Sequence, residues 1–389
     1  MNELPVAPFR PDSSELLIKS RLDSDRFGMR IFRARTAELD GGRLFREIVA
    51  KEADVAIVRV PAGAGGQLQR LGRYGMHPIH ADTLVYYRAP LGEREPLPSR
   101  NDDLVFTEAT DSDAIELDAL VACTFDGYVS HYHANPRLDP ALILAGYTEW
   151  AAGYLAGQAP GRTAWVARRS GVLVAFACCQ HDVQGQECEG VLYGVHPDHS
   201  GGGIYGDLIR YTQAQYRARG YRTMTVSTQI WNLAVQKVWG REGFVLDRAY
   251  DTFHINAMLS AGDALVEREL IFSHDQVAQF AAVTGDTNAV HLDDNAARSA
   301  GFDSRISHGM LAGGELSRIF GTEVPGAGTL FLRADMVFLK PIYPGHTHTL
   351  RIRYPSQVSA SGHIATVATI RDPAGSLCLL CYSDLMKKH

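Results

Sequence analysis

Two short stretches in the last third of the chain decide its interpretation. Residues 285–293 read Gly-Asp-Thr-Asn-Ala-Val-His-Leu-Asp, and residues 307–310 read Ser-His-Gly-Met. An apolar helical pattern leads into the first stretch, and a second helix opens at the glycine of the other. Asp286 and His291 can hold one water between them and exchange protons with it. The Gly309 amide, at a helix start, can receive negative charge on a thioester oxygen. The pattern therefore predicts addition of water to an acyl thioester, or its removal.

Residues 272–354 also resemble the MaoC-like, (R)-specific enoyl-CoA hydratases, which have a hot-dog fold. The motif of that family reads Asp-x-Asn-Pro-x-His, and a helix that starts at His-Gly-Met follows it. Asp286, Asn288 and His291 fit the motif, whereas Ala289 stands where proline is usual. The substitution loosens the loop slightly but removes no reacting group.

The resemblance implies a role for each position of the motif. Asp286 and His291 would be the catalytic pair, and Asn288 would orient the loop. The Gly309 amide would be the oxyanion donor. A turn of Gly-Asp-Thr-Asn alone would be ordinary turn chemistry, so the His-Gly-Met helix start is needed for this interpretation.

Length and composition limit the remaining possibilities. A chain of 389 residues can hold two domains or more. The net charge of −6 argues against a nucleic-acid partner. Residues 1–11 do not resemble a signal sequence, and no stretch approaches the roughly 18 apolar residues that cross a bilayer. Six cysteines without a zinc motif indicate neither a disulfide framework nor a metal site. We therefore expect a cytoplasmic protein with no membrane partner, no metal and no permanently bound cofactor.

The order of helix and strand patterns divides the chain into three parts. The expected parts are residues 1–95, residues 104–260 and residues 265–389. Proline and charge accumulate over residues 90–103, which we interpret as a connection, and residues 258–267 form a second boundary. The expected fold class is α+β or mixed α/β. In the last part, one central helix wrapped by an antiparallel sheet fits the hot-dog fold.

A second constellation lies at residues 195–206, which read Val-His-Pro-Asp-His-Ser-Gly-Gly-Gly-Ile-Tyr-Gly. A glycine-rich turn between a strand and a helix leaves backbone N–H groups free to bind a pyrophosphate, although a flexible helix entry would have the same pattern. Downstream, Asn232 is followed by Trp239 and then by Gly243-Phe244. This arrangement resembles the last motif of the GNAT acyltransferases, and residues 195–206 are similar to their CoA pyrophosphate loop. The resemblance implies CoA contacts at Val195, Gly201, Gly202, Gly203, Ile204, Gly206 and Asn232.

The GNAT resemblance covers about residues 104–257. Residues 1–95 look like the N-terminal half of dTDP-amino-sugar acyltransferases in the same superfamily, with Asp-Arg-Phe-Gly at 25–28 as the anchor. We expect this half to be a degenerate GNAT-like unit. The resemblance implies an amine acceptor, such as a nucleotide-linked amino sugar.

Three positions depart from the GNAT pattern. Ser200 replaces the usual Arg or Gln of the loop, and Tyr205 replaces a small residue. Trp239 stands where the family often keeps a tyrosine as general acid, and an indole cannot give up a proton in that way. Tyr193, Tyr205 or Tyr250, or a water, would have to replace it.

Amine acylation also needs a base. Glu189, on the strand before the loop, is the best-placed carboxylate, and His196 is the next candidate. The alternative for Glu189 is a charge at a strand end that faces water. Asn232 would open the following helix and support the CoA arm.

These patterns together predict a bifunctional acyl-CoA enzyme. We expect the C-terminal part to hydrate a short trans-2-enoyl-CoA to an (R)-3-hydroxyacyl-CoA, coupled to N-acyl transfer by the GNAT part. An alternative is a dehydratase for 3-hydroxyacyl chains on a carrier protein in polyketide or lipid synthesis, with the GNAT part as acyl loader or as a CoA-binding scaffold without activity. Hot-dog domains usually pair to cover exposed sheet edges, so we expect a homodimer through residues 265–389. Acyl chain length, the amine acceptor and the favoured direction of hydration are not encoded in any pattern we recognise.

Overall fold

Two β-sheets organise the part of the chain that the computed structural model describes, which is residues 15–92, 97–155, 159–182, 185–260, 262–358 and 361–387. The first sheet has ten strands and the second has five in these residues. The expectation that residues 1–11 are not a signal sequence concerns a segment that lies outside the described residues. Among the described helices, none combines the length and apolarity needed to cross a bilayer.

The first region contributes four strands and two helices to the described structure. They are β1 (Ile18–Lys19), α1 (Arg21–Phe27), β2 (Ile31–Arg35), α2 (Gly41–Ala50), β3 (Val55–Pro61) and β4 (Pro78–Pro90), with a 3-10 helix at Gly65–Tyr74.

The second region alternates helices with longer strands. Its strands are β5 (Leu104–Glu108), β6 (Arg162–Arg169), β7 (Val172–His181), β8 (Glu187–Val195), β9 (Thr223–Gln229) and β10 (Val245–Asn256). Its α-helices are α3 (Ala114–Phe125), α4 (Pro140–Ala152), α5 (Ile204–Ala218) and α6 (Leu233–Arg241). Short 3-10 helices lie at Asp111–Asp113, His131–Ala134 and Pro197–His199.

These two regions share one sheet. Its strand order is β1-β2-β3-β10-β4-β9-β8-β7-β6-β5, so β10 lies between two strands of the first region. One face is covered by α5 and α6 through an apolar core that includes Leu208 and Trp239, and α3 and α4 cover the other face through a core that includes Leu120 and Phe176. The expected parts 1–95 and 104–260 therefore fold as a continuous sheet.

The last region is an antiparallel sheet around a helix. Its elements are β11 (Ala264–Leu270), α7 (His274–Thr284), α8 (Ala289–Leu292), α9 (Asp294–Ser299), α10 (Gly309–Thr322), β12 (Thr329–Phe338), β13 (His348–Tyr354), β14 (His363–Arg371) and β15 (Leu377–Lys387). The strand order is β11-β13-β14-β15-β12, and α10 packs on the sheet through Leu316 and Phe320. This arrangement confirms the expected mixed α/β class with a C-terminal hot-dog domain.

The two sheets are joined by an apolar and ionic contact. Val367 and Leu380 of the second sheet belong to the same buried cluster as α2. Glu52, just after α2, forms ion pairs with Arg351 and Arg353 on β13. β11 starts at Ala264, inside the segment 258–267 that we expected to be a boundary.

Candidate functional site

The loop that carries Asp286 is positioned by the ends of two helices. Helix α7 begins at a capping box of Ser273 and Gln276 and ends at Gly285, whose φ of 77° is in the left-handed region. Glycine adopts this conformation at little cost. The side chain of Asn288 then accepts a hydrogen bond from the Val290 amide at 3.4 Å and caps the short helix α8. Asn288 thus lies where it fixes the turn between Asp286 and His291.

Hydrogen bonds to carbonyl oxygens set the tautomers of two imidazoles. His291 Nδ1 lies 2.9 Å from the Ile306 carbonyl oxygen, and His308 Nε2 lies 3.0 Å from that of Asp286. A carbonyl can only accept, so these nitrogens carry the hydrogens. The neutral His291 ring therefore has Nε2 free as an acceptor. The two rings stack, with centroids 3.9 Å apart.

The fold brings Asp286, His291 and His308 together. One ligand atom of each lies within 4.8 Å of the others. Asp286 is exposed, His291 is partly buried and His308 is only 2% exposed. A carboxylate beside two imidazoles can hold a water, and the same donor set suits a divalent metal ion such as zinc.

His308 was quoted in the sequence motif but given no role there. Its Nδ1 is buried and has no hydrogen-bond partner in the described part of the chain. The signal available in the sequence was its place directly before Gly309, which fixes it at the start of α10.

The start of α10 opens onto an apolar cleft. A Cβ at Gly309 would lie 2.8 Å from two ring atoms of Phe338, so a larger residue there would require the Phe338 ring to move. The first N–H groups of a helix have no acceptor within the helix, and the Gly309 amide is one of these. An open cleft of about 470 Å³ lies between α10 and β12. Its lining residues are Phe280, Met310, Gly313, Gly314, Ser317, Phe331, Leu332, Arg333, Ala334 and Met336.

A second opening lies in the ten-stranded sheet between β8 and β9. These neighbours pair in parallel only from Glu187 to Gly190, opposite Thr223 to Val226. β8 continues to Val195 and β9 to Gln229 without further pairing between them. Beyond Gly190 and Val226 the described ends of the two strands therefore share no ladder hydrogen bonds.

The glycine loop follows β8 and leads into α5. Gly201 and Gly203 have φ values of 80° and 88°, and Gly203 is the residue before the helix. The expected CoA contacts at Val195, Gly201, Gly202, Gly203, Ile204 and Gly206 all lie along this strand end, loop and helix start. Asn232 precedes α6, and its Nδ2 donates to Thr228 Oγ1 at 3.1 Å.

Residues 100–101, which the sequence indicated only as part of a connection, pack on this loop. Asp207 in the first turn of α5 accepts hydrogen bonds from the backbone amides of Arg100 and Asn101, at 2.8 and 3.1 Å. Asn101 Nδ2 also donates to the Gly202 carbonyl at 3.1 Å. The Arg100 side chain passes 3.5 Å from where a Cβ of Gly203 would be. The stem of an arginine side chain thus lies beside the loop in which Ser200 replaces the usual Arg or Gln.

Glu189 is buried on the sheet face that α3 and α4 cover. It is 6% exposed and accepts a hydrogen bond from Gln180 Nε2 at 2.9 Å. Burial raises the pKa of its carboxyl to about 7, against the opposing influence of that hydrogen bond and of nearby arginines. A base of this pKa suits proton transfer near neutral pH. The sequence had left open a water-facing charge at this position, and the burial excludes it.

His196 lies in the glycine loop instead. Its Nδ1 accepts a hydrogen bond from the Asp198 amide at 3.2 Å. Seven residues separate it from Glu189, roughly 23 Å along an extended strand.

The tyrosines that could replace a general acid lie in different environments. The Tyr193 hydroxyl is 2.9 Å from Thr212 Oγ1 and 3.2 Å from Cys179 Sγ, and burial raises its pKa. Burial also raises the pKa of Tyr205, at the start of α5. Tyr250 lies on the opposite face, beside Arg35. Trp239 is 2% exposed and packs between aromatic rings of the core.

Comparisons with known families match the two regions separately. A model described as the MaoC like domain matches residues 260–369, and one described as the Acetyltransferase (GNAT) family matches residues 128–244. The two matches confirm the expected fusion of these domain types.

Curated relatives divide in the same way. An (R)-specific enoyl-CoA hydratase of Aeromonas caviae is 32% identical over 99 residues, which are 25% of this chain and 71% of that protein. The mitochondrial 3-hydroxyacyl-[acyl-carrier-protein] dehydratase of Arabidopsis thaliana is 33% identical over 103 residues, 26% of this chain, and the match spans 60% of its length. The spore coat polysaccharide biosynthesis protein SpsD of Bacillus subtilis (strain 168) is 26% identical over 206 residues, which are 52% of this chain and 67% of SpsD.

Proposed function

We propose, on the premise that this chain belongs to the MaoC-like family and carries a GNAT-family domain ahead of it, that it acts on acyl-CoA at two sites. The C-terminal site hydrates a short trans-2-enoyl-CoA to an (R)-3-hydroxyacyl-CoA, or runs the reverse reaction. The site in the ten-stranded sheet transfers an acyl group from CoA to an amine.

The hydration proposal rests on the arrangement of Asp286 and His291. His291 Nε2 is an acceptor because Nδ1 donates to a carbonyl. A carboxylate oxygen of Asp286 lies within 4.8 Å of a ring nitrogen of His291. A water between them would attack C3 of the enoyl chain. One proton passes from the water to this pair and one returns at C2, so the site ends in its starting protonation state. The Gly309 amide would hold the thioester oxygen, where charge develops.

The test of this site is the substitution His291→Ala. General acid–base catalysis contributes about 10²- to 10⁴-fold, so hydration of crotonyl-CoA should fall by a factor in this range. A melting curve of the variant that matches wild type shows that the loss is not caused by unfolding. Wild-type turnover in His291→Ala would refute the assignment of His291 as a catalytic residue.

For acyl transfer, Glu189 would take the proton of an ammonium acceptor while the CoA arm enters between β8 and β9. Arg100 supports the pyrophosphate contact, because its side chain passes over the loop at Gly203. The thiolate that leaves needs a proton, and Tyr205 or Tyr193 would supply it on the α5 side of the sheet.

We further propose that the two sites are coupled. The hydratase would make a 3-hydroxyacyl-CoA, such as 3-hydroxybutyryl-CoA, and the transferase would attach that acyl group to a nucleotide-linked amino sugar. The match to a polysaccharide biosynthesis protein supports a sugar acceptor. Purified chain, crotonyl-CoA and a panel of nucleotide-linked amino sugars should yield a hydroxyacyl amide by mass spectrometry. If no acceptor is modified, coupling fails while the hydratase assignment stands.

A second candidate is dehydration of a 3-hydroxyacyl chain on a carrier protein. The likeness to a dehydratase named for acyl-carrier-protein substrates favours it. Parallel assays with crotonyl-CoA and with the same acyl group on a carrier protein separate the two. Turnover of the carrier-bound substrate alone would replace the CoA assignment.

A homodimer through the hot-dog domain completes the proposal. Among the described strands, β12 pairs on one side only, with β15. This edge exposes about half of the side chains of Leu330, Leu332 and Phe338, and Met310 beside it is 57% exposed. An apolar edge of this kind is covered in stable proteins. A second copy paired along β12 would cover it and close the cleft.

A further inference from the structure

Three arginines from distant parts of the sequence converge on one face of the ten-stranded sheet. Arg35 on β2 lies opposite Arg59 on β3, and Arg248 on β10 lies opposite Tyr86 on β4. The Arg35 guanidinium carbon is 4.4 Å from the ring centre of Tyr250 and 5.4 Å from that of Tyr86. Arg248 lies 5.0 Å from the Tyr86 ring centre. Stacking on tyrosine holds a guanidinium in place and leaves its N–H edges available.

The charges of this arginine cluster are not balanced within the described residues. Neither Arg35 nor Arg59 has a carboxylate within 4.0 Å there, while Arg248 pairs only with its neighbour Asp247. Arg59 Nε donates to the Thr252 hydroxyl at 3.3 Å. Guanidinium groups gathered in this way, two of them without an ion pair in the described residues, are a typical binding site for phosphate groups.

Several buried polar atoms at the same place have no hydrogen-bond partner among the residues that the structure describes. They include Arg35 Nε, the Tyr86 hydroxyl and both carboxylate oxygens of Asp82. Asp82 is 8% exposed and lies opposite Thr252 on the same sheet face as the arginine cluster. Because buried polar groups are normally hydrogen-bonded, these atoms indicate a ligand with both acceptors and donors. A phosphate supplies the acceptors, and sugar hydroxyls or an amine supply the donors.

The arginine cluster lies on the same sheet as the candidate base, Glu189, at a distance that a ligand can span. Tyr86 lies opposite Ser227 on β9, and Thr225 on β9 lies opposite Glu189 on β8. Three strand spacings, roughly 14 Å, separate the strand of Arg248 from that of Glu189. A sugar linked to a diphosphate is comparable in length. The same three arginines act on the Glu189 carboxyl and oppose the rise in its pKa.

We propose that Arg35, Arg59 and Arg248 bind the phosphate groups of the acyl acceptor and place its amine at Glu189. The acceptor is then a phosphorylated amine, such as a nucleoside diphosphate amino sugar, and a free amino sugar is a poor substrate. This inference rests on the acyl transfer proposed above, but the anion site can be tested without it.

The kinetic test compares two acceptors that differ only in the phosphate. Wild-type chain with acetyl-CoA should use the nucleoside diphosphate amino sugar at a lower KM than the same free amino sugar. Losing one charge-assisted hydrogen-bonding group typically costs roughly 10- to 100-fold, so Arg35→Gln should raise the KM for the phosphorylated acceptor by that factor and leave the KM for the free sugar unchanged. Arg88→Gln is the control, because Arg88 is on the same face but pairs with Glu187. Equal use of both acceptors by wild type, or equal effects of the two substitutions, overturns the proposal.

A binding measurement separates this inference from the transferase assignment. Titration calorimetry of the full chain with inorganic diphosphate is run with CoA at saturating concentration, so that the glycine loop is already occupied. It should show one site in wild type and at least tenfold weaker binding in Arg35→Gln. Crotonyl-CoA hydration by the same preparation reports that the variant is folded. Binding that depends on Arg35 supports the site even if no amine is acylated. Wild-type chain that does not bind diphosphate overturns it, whatever the transferase does.

Discussion

Replacing Glu189 with glutamine should stabilise the protein at alkaline pH while it abolishes acyl transfer. The carboxyl is buried on the sheet face below α3 and α4, and its pKa is raised to about 7 from the 4.5 of an unperturbed glutamate. Between these values the folded chain holds a proton that the unfolded chain has lost. Stability must therefore fall as pH rises through this window, since it falls wherever the folded state binds more protons. Below about pH 4.5 both states are protonated, and the penalty vanishes.

The size of the effect follows from the same pKa difference. At about 1.36 kcal/mol for each tenfold change, the ionised carboxyl costs roughly 3 kcal/mol of folding free energy above pH 7. Glutamine keeps the shape and can still accept a hydrogen bond from Gln180, but it carries no charge. For a folding unit of this size, about 2–4 °C accompany each kcal/mol, so the melting temperature at pH 8.5 should rise by roughly 6–12 °C.

Melting curves of wild type and Glu189→Gln at pH 5 and pH 8.5 test this reasoning. The difference should be small at pH 5 and large at pH 8.5, and transfer to any amine acceptor should be lost at both values. Glu187→Gln is the matched control, because Glu187 lies on the same strand but its side chain is 63% exposed; it should change neither property. A stabilisation that does not depend on pH, or a loss of stability at pH 8.5, would refute the assignment of a buried, proton-binding carboxyl.

Three further outcomes are expected from single substitutions. His308→Ala removes a hydrogen bond to the Asp286 carbonyl and a stacked ring beside His291. Losses of about 1 kcal/mol for each interaction should lower kcat/KM for crotonyl-CoA roughly 30-fold. His308→Gln should recover part of the lost kcat/KM. Arg100→Gln should raise the KM for acetyl-CoA about tenfold without altering crotonyl-CoA hydration, and an unchanged KM would remove Arg100 from the CoA site. Leu332→Asp places a charge on the exposed β12 edge and should convert the dimer into a monomer, as measured by light scattering. A wild-type monomer at micromolar concentration would contradict the proposed pairing.

Local spacing allowed much of the hot-dog domain to be predicted. A motif within nine residues sets the α7 end, the Asn288 cap and the Asp286–His291 pair, since each depends on neighbours in the sequence. The start of α10 at Gly309 was likewise evident from the His-Gly-Met motif. What such a motif does not reveal is the stacking of His308 on His291, which depends on how the loop folds back.

Features that depend on topology could not be predicted. β10 inserts between β3 and β4, and only this crossing brings Arg248 beside Tyr86. Helix α4 was missed although Asp139 caps it, because its apolar residues do not fall on one face. Segment 100–101 was interpreted as part of a connection, yet it is held by the buried carboxylate of Asp207. For β10 and for segment 100–101, the deciding partner is distant in sequence.

In the proposed hydration, Asp286 and His291 direct water onto an enoyl thioester. The most direct test is the loss of enoyl absorbance when purified chain is mixed with crotonyl-CoA, for wild type, Asp286→Asn and Asp293→Asn. Asp293 lies in the same loop and caps α9, a role that asparagine can fill, so this variant should hydrate at the wild-type rate. The account predicts rapid loss in wild type and in Asp293→Asn, and a rate about 10²- to 10⁴-fold lower in Asp286→Asn. Equal rates in all three, or no loss of absorbance in wild type, would contradict it.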